Sequence, residues 1–398
     1  MSEWTQVTLA DVLAPKGYVR GPFGSALRRN ELLSEGIPVY EQQHAIYGIR
    51  DFRFFINDEK HQEMKRFETK TNDLIISCSG TVGRVSVINE EDPKGIISQA
   101  LLLLRANTDV IIPQYLQYFF TSDEGYNAIV SRSSGSVQVN ISKRAVIEQI
   151  PLNLPDLETQ GTITNTLSAL DARIAENKRI NHHLEQMAQA IFKSWFVDFE
   201  PWGGVMPSDW REGTLSEIAN ITMGQSPSGT SYNEDGVGMV FYQGRAEFGS
   251  RFPSRRLFTT EPKRMAAKGD VLMSVRAPVG DLNVAFESCC LGRGLAGVQS
   301  TNDCQSFILY TMFALKQQLD MFNGEGTVFG SINKNDMANL PVIIPADEVA
   351  RQFEELASPM DANIEANYAE ICNLQAARDS LLPRLMSGEL SVAEVAGK

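Results

Sequence analysis

Few residues in this chain have the side chains from which metal and redox sites are usually built. Its 398 residues include 4 histidines and 5 cysteines. The cysteines are odd in number and show no C-x-x-C spacing, which argues against a disulfide framework and a common zinc site. His182 and His183 are adjacent, so on a helix they do not share a face as metal ligands would. We predict buried free thiols and no metal site.

Long apolar runs are also absent. No stretch of about 18 apolar residues is available to span a bilayer, and Met1 to Lys16 lacks the basic and apolar regions of a secretory signal. We therefore expect a cytoplasmic protein with no membrane partner. A chain of 398 residues is too long for one ordinary core, which favours two domains of roughly 150 residues with connecting helices.

The motifs of several enzyme classes are missing. There is no N-P-P-[FYW] or D-P-P-Y segment for amino methylation of a base, no Walker A loop, no H-E-x-x-H and no G-x-S-x-G. PDLET at Pro155 begins like a nuclease motif but lacks the carboxylate-x-Lys that would follow, so we interpret it as a turn entering a helix. These absences favour a protein that is not an enzyme.

Basic residues are fewer than acidic ones, and the net charge is −13. The excess is uneven along the chain. Residues 1–150 hold 16 basic and 18 acidic side chains and residues 210–340 hold 12 and 13, whereas residues 151–209 hold 4 and 8 and residues 341–398 hold 4 and 10. Two nearly neutral blocks thus alternate with two acidic ones, so the whole-chain charge does not exclude a nucleic-acid partner.

An internal repeat organises the chain. Its matched segments, each written with its recurrence, are WTQVTLADV from Trp4 and WREGTLSEI from Trp210, IPVYEQQHA from Ile37 and GMVFYQGRA from Gly238, NDLIISCSGTVGRVSVI from Asn72 and GDVLMSVRAPVGDLNVA from Gly269, and GSVQVNISK from Gly135 and GTVFGSINK from Gly326. This alignment pairs Gln42 with Gln243, His44 with Arg245, Ser77 with Ser274 and Gly83 with Gly280. Short apolar or β-branched runs predict strands, and residues 112–122 and 306–322 predict short helices, so each copy is expected to be α+β.

Each copy closes with a helical pattern in which apolar residues alternate at steps of four and three, the spacing of a coiled-coil seam. The seam positions are Ile163, Leu167, Leu170, Ile174, Asn177, Asn181, Leu184, Ala188, Ile191 and Trp195, repeated 190 residues later as Phe353, Ala357, Met360, Ile364, Asn367, Ile371, Leu374, Arg378, Leu381 and Leu385. A 33-residue helix of this kind is about 50 Å long. We predict that the two helices pair antiparallel with Asn181 facing Asn367, and that Pro383 ends or kinks the second helix near its last turn. The alternative is a long amphipathic helix packed on its own domain.

Arginine and glutamine residues in the two neutral blocks are candidates for contacts to DNA, because arginine suits guanine edges or phosphate and glutamine suits adenine. The strongest cluster is residues 244–270, where basic residues alternate with phenylalanines. A solvated loop with ordinary charges is the alternative for any single residue. The predicted DNA-binding residues are Gln42, Gln43, His44, Arg50, Thr81, Arg84, Gln99, Gln138, Lys143, Gln243, Arg245, Arg251, Arg255, Arg256, Arg276, Arg293 and Lys334.

These segments resemble the DNA-sequence specificity subunits of type I restriction-modification systems. LDARIAENKRINHHLEQMAQAIFKSWFVDFEP from Leu170 resembles the central conserved region of that family, and RDSLLPRLMSGEL from Arg378 resembles its C-terminal one. ISCSGTVGRVSVI and GSVQVNISK are typical of its target-recognition domains. The second copy departs from the family pattern, because RAPVGD replaces the turn of the SGTVGR type, so Ala277 and Pro278 stand where Gly80 and Thr81 stand in the first copy.

The resemblance implies an α+β fold with two α/β target-recognition domains separated by two long antiparallel coiled-coil helices, in a pseudo-twofold internal repeat. The predicted boundaries are residues 1–155 and 201–345 for the domains and residues 156–200 and 346–390 for the helices. Each domain would read half of a split target in double-stranded DNA. The helices would recruit two methyltransferase subunits and, through them, restriction subunits. No cofactor is expected on this chain; S-adenosylmethionine, ATP and Mg would belong to the partner subunits.

Two other classes of protein remain open at this point. A non-catalytic coiled-coil adaptor would keep the helices but has no need of two diverged recognition-like domains. The recognition part of another restriction-modification enzyme would require a catalytic region before the repeat, and the repeat is expected to begin at Trp4.

Overall fold

The chain folds into two compact units, and each unit contains half of each of two long helices. The computed structural model describes residues 4–23, 26–133, 139–323 and 330–391. The first unit comprises Met1–Ile174 and Cys372–Lys398, and the second comprises Ala175–Ile371. No helix of the described residues is long and apolar enough to cross a membrane.

The first unit is built from three small sheets and several short helices. Its strands are β1 (Thr5–Thr8), β2 (Leu13–Arg20), β3 (Ile37–Tyr40), β4 (Phe55–Ile56), β5 (Leu74–Ser77), β6 (Val85–Val87), β7 (Ile96–Ile97), β8 (Leu101–Ala106) and β9 (Pro151–Leu154). Its helices are α1 (Gln42–Tyr47), α2 (Asp58–Glu63), α3 (Pro113–Thr121), α4 (Asp123–Val130), α5 (Arg144–Ile147) and the first part of α6 (Leu157–Phe196). The sheets have the strand orders β1-β9, β2-β8-β5-β6 and β4-β3-β7.

The second unit repeats this plan. Its strands are β10 (Arg211–Thr214), β11 (Ala219–Met223), β12 (Tyr232–Asn233), β13 (Met239–Tyr242), β14 (Leu257–Thr259), β15 (Met265–Ala266), β16 (Val271–Ser274), β17 (Leu282–Val284), β18 (Cys289–Leu291), β19 (Leu295–Ser300) and β20 (Pro341–Ile344). Its helices are α7 (Leu215–Ile218), α8 (Gln305–Ala314), α9 (Lys316–Asp320), α10 (Lys334–Ala338) and part of α11 (Asp347–Met386). The strand orders β10-β20 and β11-β19-β16-β17 correspond to those of the first unit, and a third sheet has the order β12-β14-β13-β18-β15.

The central hairpin of each unit is held by an identical set of hydrogen bonds around a serine. In the first unit the backbone nitrogen of Arg84 donates to Ser77 Oγ at 2.9 Å, and in the second that of Asp281 donates to Ser274 Oγ at 2.9 Å. The nitrogens of Gly83 and Gly280 donate to the carbonyl oxygens of the same two serines. The predicted equivalence of Ser77 with Ser274 and of Gly83 with Gly280 is therefore confirmed, although the turns between them differ in sequence.

The long helices α6 and α11 contact each other within each unit. In the second unit, Asn367 Nδ2 donates to Asn181 Oδ1 at 2.8 Å, and Asn177 Nδ2 donates to Glu370 at 2.9 Å. Because residue numbers rise along one helix as they fall along the other, the helices run antiparallel there. The predicted pairing of Asn181 with Asn367 is confirmed. Helix α11 ends at Met386, in the turn that follows Pro383, as predicted.

The apolar seam follows the predicted positions along most of both helices and shifts by one residue at Ile191, Trp195 and Leu381. Phe192 and Phe196 are buried in the core of the second unit, whereas the predicted Ile191 and Trp195 are only partly buried. In the first unit Leu382 is likewise buried while Leu381 is partly exposed. The shift arises because each helix end packs against the core of its own unit as well as against the other helix, and a straight helix repeats at 3.6 rather than 3.5 residues.

A tyrosine of each unit anchors a short helix to a long one through a conserved geometry of contacts. In the first unit, Tyr118 on α3 donates to Asp171 Oδ2 at 2.7 Å, and Arg378 contacts Asp171 Oδ1 at 2.8 Å. In the second unit, Tyr310 on α8 donates to Asp361 Oδ1 at 2.8 Å. The long helix therefore supplies the carboxylate in both units.

Arg251 is the cation of this cluster in the second unit, which corrects its predicted role in binding DNA. Its side chain is only 6% exposed, forms an ion pair with Asp361, and contacts Glu185 Oε2 at 3.2 Å. Its guanidinium also lies 5.7 Å from the centre of the Tyr310 ring. Burial is the largest single influence and opposes its charge, but Asp361, Tyr310 and Glu185 together raise the pKa of Arg251 above its ordinary value. The side chain is thus committed to the packing of the unit.

Four of the five free cysteines are buried, as predicted, but Cys372 is exposed, so the prediction of a buried thiol was wrong at that position. The buried thiols of Cys78 and Cys289 lie among apolar residues of the first and second units. Desolvation raises the pKa of each to about 12. These thiols are therefore protonated packing groups at neutral pH.

We expect Arg251→Met to lower the free energy of unfolding of the second unit by about 3 kcal/mol, because it leaves two carboxylates without their buried cation. Arg255→Met is the matched control, since Arg255 lies in the same segment, is 56% exposed, and pairs with Glu287 at the surface. It should cost less than about 1 kcal/mol. Urea unfolding followed by hydrogen exchange of peptides from the second unit measures both. Equal losses for the two variants would show that the buried cluster does not stabilise the unit.

Candidate nucleic-acid interface

A cleft of about 580 Å³ opens in the first unit beside the ends of β2, β5 and β8. Its walls come from five separate segments of the chain, so it forms only when the sheet and the loops around it are assembled. It is lined by Arg20, Phe23, Gln42, Ser79, Gln99, Ala100 and Asn140.

A cleft of about 370 Å³ lies in the second unit beside the corresponding strands. Its lining is more strongly basic than that of the first cleft, because four arginines take part. It is lined by Ser226, Gln243, Gly244, Arg245, Ala246, Glu247, Arg256, Ser274, Arg276, Ala277, Arg293 and Gly294.

The floors of the two clefts are made by the same backbone hydrogen bonds. In the first unit these bonds run from Cys78 N to Ala100 O, from Ile141 N to Cys78 O and from Gly80 N to Val139 O. In the second unit the corresponding bonds run from Val275 N to Gly294 O, from Ile332 N to Val275 O and from Ala277 N to Gly330 O. All six distances lie between 2.9 and 3.1 Å. The bonds fix which residues are equivalent without reference to side chains. They make Ser79 equivalent to Arg276, and Gln99 equivalent to Arg293.

A glycine shapes the rim of each cleft. The nitrogens of Gly21 and Gly224 donate to the carbonyl oxygens of Leu101 and Leu295, each at 2.9 Å. A Cβ atom at Gly21 would lie 2.0 Å from the carbonyl oxygen of Ser98, and one at Gly224 would lie 2.1 Å from that of Gly292. No side chain fits either place, so the chain can approach this closely only as glycine. Two residues later, Phe23 and Ser226 occupy the same point on the two rims.

The strand register corrects the sequence alignment beside the cleft. The nitrogens of Ser98 and Gly292 donate to the carbonyl oxygens of Tyr40 and Tyr242, which makes these two tyrosines equivalent. Between this tyrosine and the next turn, the second unit has one residue more than the first, so Gln243 is not the equivalent of Gln42.

In each of the turns that follow, a backbone nitrogen bonds to the side chain three residues later. The backbone nitrogen of Glu41 bonds to His44 Nδ1 at 2.6 Å, and that of Gly244 donates to Glu247 Oε2 at 3.3 Å. His44 is therefore equivalent to Glu247, and Gln42 to Arg245. His44 is 0% exposed and its ring stacks on Phe52. This burial corrects the predicted contact of His44 with DNA.

The arginines of the second cleft fall into two electrostatic classes. Arg245 pairs with Asp281 at 2.7 Å and Arg256 pairs with Glu247 at 2.6 Å. The hydrogen bond that Arg256 donates to Glu247 raises the pKa of Arg256 above its ordinary value. Arg276 and Arg293 are exposed, and neither forms an ion pair with a residue that the structure describes. Their guanidinium groups are the cations that this cleft offers to a ligand.

The first cleft offers mainly neutral polar groups, and its lining includes one arginine, Arg20. Gln42 Nε2 donates to the carbonyl oxygen of Ser79 at 2.6 Å, and Ser79 Oγ donates to Asn140 Oδ1 at 2.7 Å. Gln99 is exposed at its edge. Arg20 donates to the carbonyl oxygen of Leu101 at 3.2 Å, and its guanidinium lies 5.8 Å from the ring centre of Phe23, which is 72% exposed. A flat aromatic surface and amide groups thus replace the arginines of the second unit.

The structure gathers some of the predicted DNA-binding residues into these clefts and leaves others outside. Those that line a cleft are Gln42, Gln99, Gln243, Arg245, Arg256, Arg276 and Arg293. Those elsewhere are Gln43, His44, Arg50, Thr81, Arg84, Lys143, Arg251, Arg255 and Lys334, and Gln138 lies outside the described residues. Contacts of the remaining exposed residues with DNA stay predictions.

Three of the arginines outside the clefts have protein partners that account for their positions. Arg50 donates to Asp92 at 2.8 Å and to the carbonyl oxygen of Val87 at 2.7 Å, which ties two loops together. Arg84 lies over the ring of Tyr126 at 4.8 Å. Arg255 pairs with Glu287.

Among the lining residues that the sequence did not predict are Arg20, Phe23, Asn140 and Ser226. Their signal lies in the two rim glycines, since aligning Gly21 with Gly224 places Phe23 over Ser226. Asn140 lies within the repeated GSVQVNISK segment, where Lys143 was predicted instead because of its charge. The described residues contain no group of three or more histidine, cysteine, aspartate or glutamate side chains that could hold a metal ion.

Comparison with known proteins adds independent information. A protein of Methanocaldococcus jannaschii assigned as the MjaX type I restriction enzyme specificity subunit is 29% identical over 356 residues, which cover 85% of this chain and 83% of the relative. The HindI type I restriction enzyme specificity subunit of Haemophilus influenzae is 22% identical over 389 residues, covering 77% and 84%. The type I restriction-modification S subunit structure from M. genitalium shares the fold, with a TM-score of 0.64, 18% identity, and coverage of 97% and 96%.

The family assignment rests on a match that spans most of the sequence. The profile of the type I restriction modification DNA specificity domain matches residues 1–186 and 207–371. The two successive matches agree with two units built on one plan. The chain belongs to the type I restriction-modification DNA specificity domain family.

Proposed function

We propose that this chain is the DNA-reading subunit of a type I restriction-modification complex, and that each of its two units reads one half of a bipartite target in double-stranded DNA. The duplicated cleft carries this proposal. One backbone frame occurs twice with different exposed side chains, which is what a protein needs to recognise two different short sequences in the same way. Exposed arginine and glutamine groups suit the edges of bases in the major groove.

In this proposal the long helices bind two methyltransferase subunits and, through them, restriction subunits. The acidic excess in residues 151–209 and 341–398 supports a protein partner there, because an acidic surface repels the phosphates of DNA. Exposed apolar side chains on the helices, including Leu157, Met187 and Leu356, also suit protein contacts. The chain itself would catalyse nothing; S-adenosylmethionine, ATP and Mg would be bound by the partner subunits.

The purified chain alone should transfer no methyl group to DNA, because catalysis belongs to the partners. Combined with the methyltransferase subunits of the same system, it should direct methylation to a two-part motif with a gap of fixed length. Sequencing that detects methylated bases, applied to genomic DNA treated with each preparation, measures this. The methyltransferase subunits without the chain are the control. Methylation by the chain alone would contradict the proposal.

We further propose that α6 and α11 set the gap between the two half-sites. Each helix has 40 residues and is therefore about 60 Å long. Four residues inserted after Ile174 and four after Ile371 lengthen each helix by about 6 Å, a little more than one turn. These positions are the boundaries between the units, so the Asn181–Asn367 and Asp171–Arg378 contacts each remain within one unit.

The doubly extended chain should direct methylation to the same two half-sites with a gap one or two base pairs longer, at about 3.4 Å per base pair. Motif analysis of methylated DNA measures the gap. A four-residue insertion after Gly236, in an exposed turn of the second unit, is the matched control and should leave the gap unchanged. Retained methylation with an unchanged gap in the doubly extended chain would show that the helices do not set the spacing.

A further inference from the structure

The two clefts differ in a consistent direction at equivalent positions. Gln42, Ser79 and Gln99 in the first unit correspond to arginines in the second. The backbone hydrogen bonds around Ser79 and Gln99 match those around Arg276 and Arg293, so at these two pairs of positions the difference is one of side-chain chemistry. The corresponding residues of the second unit are Arg245, Arg276 and Arg293.

Arg293 is mounted more rigidly than an ordinary surface arginine. A Cβ atom at Gly292 or Gly294, its two neighbours, would lie 2.7 or 2.9 Å from the carbonyl oxygen of Gln243. The backbone nitrogen of Arg293 also donates to Ser226 Oγ at 3.3 Å. The backbone on both sides of Arg293 is thus held in place, while its guanidinium is exposed and has no ion-pair partner among the described residues. A side chain that is held at its backbone and has an available guanidinium can make a hydrogen-bonded contact of defined geometry.

The chemistry at this position points to different bases in the two halves. The arginine fork bonds to O6 and N7 of guanine, whereas the glutamine amide bonds to N6 and N7 of adenine. Phe23 on the rim of the first cleft adds an apolar surface of the kind that contacts the methyl group of thymine. The second cleft has no aromatic group at that point, because Ser226 takes its place.

We propose that the position occupied by Gln99 in the first unit and by Arg293 in the second determines base specificity, so that the first half-site contains an A·T pair read by Gln99 and the second a guanine read by Arg293. This inference rests on the proposed function. It adds which base each half-site contains and which residue recognises it.

The test uses the full chain in complex with its methyltransferase subunits and a library of randomised DNA duplexes, from which bound sequences are recovered and sequenced. The unaltered complex should enrich a bipartite motif with guanine in one half. In Arg293→Gln that guanine should lose its preference, with affinity for the original motif roughly 10- to 100-fold lower, while the other half is unchanged. Gln99→Arg should place guanine in the other half instead of adenine.

A conservative variant separates a base contact from a phosphate contact. Arg293→Lys keeps the charge and loses the planar fork, so a base-reading role predicts a weakened preference for guanine, whereas a phosphate-binding role predicts an unaltered motif. Arg211→Gln is the control. Arg211 lies on β10 away from the cleft, is exposed, and pairs with Glu217 on α7. It should leave the motif and the affinity unchanged.

The possible failures are distinguishable. If the unaltered complex enriches no sequence, the proposed function itself is overturned. If it enriches a bipartite motif but Arg293→Gln weakens binding to every sequence alike, or if neither half-site contains guanine, the proposed function stands and the assignment of Arg293 and Gln99 is overturned.

Discussion

The attachment of each unit to the long helices depends on one kind of contact, a buried tyrosine hydroxyl that donates to an aspartate on a helix. Tyr118 with Asp171 and Tyr310 with Asp361 are the two instances. The side chains of Asp171 and Asp361 are 37% and 19% exposed, and shielding a carboxylate from water is costly unless a cation accompanies it. The two units supply that cation differently: Arg378 comes from the other long helix in the first, and Arg251 comes from the sheet region in the second. The cleft in each unit is built on the sheet that this anchor holds in place.

Much of the architecture could be predicted from the sequence because it repeats over long segments. The seam spacing predicted the Asn181–Asn367 contact, since two helices with matched apolar stripes and central asparagines have few ways to pair. The hairpin serines Ser77 and Ser274 could be aligned because the apolar strands around them are alike. In both cases many residues jointly specify one arrangement.

The candidate site was less predictable, because its residues come together through contacts between distant segments. Arg251 appeared to be a surface arginine in a basic cluster, yet its partners Glu185 and Asp361 lie far away in sequence. Gln42 and Gln243 share a residue type by coincidence, and only the hydrogen bonds of the neighbouring strands reveal the additional residue in the second unit. Charge and residue type indicate that a segment can bind DNA, but burial decides which of its side chains reach the surface.

The floor of each cleft is made of hydrogen bonds between main-chain atoms, so the exposed side chains of the cleft are not the groups that hold its fold together. Exposed side chains such as Gln99 and Arg293 project from that floor without contributing to its bonds, and substitutions at exposed positions of this kind usually change stability by less than about 0.5 kcal/mol. New combinations of side chains can therefore arise at these positions with little cost to the fold. With base reading at Gln99 and Arg293 as proposed, such a frame lets the target diverge one base pair at a time while the scaffold is retained, and lets the two halves of one protein diverge independently.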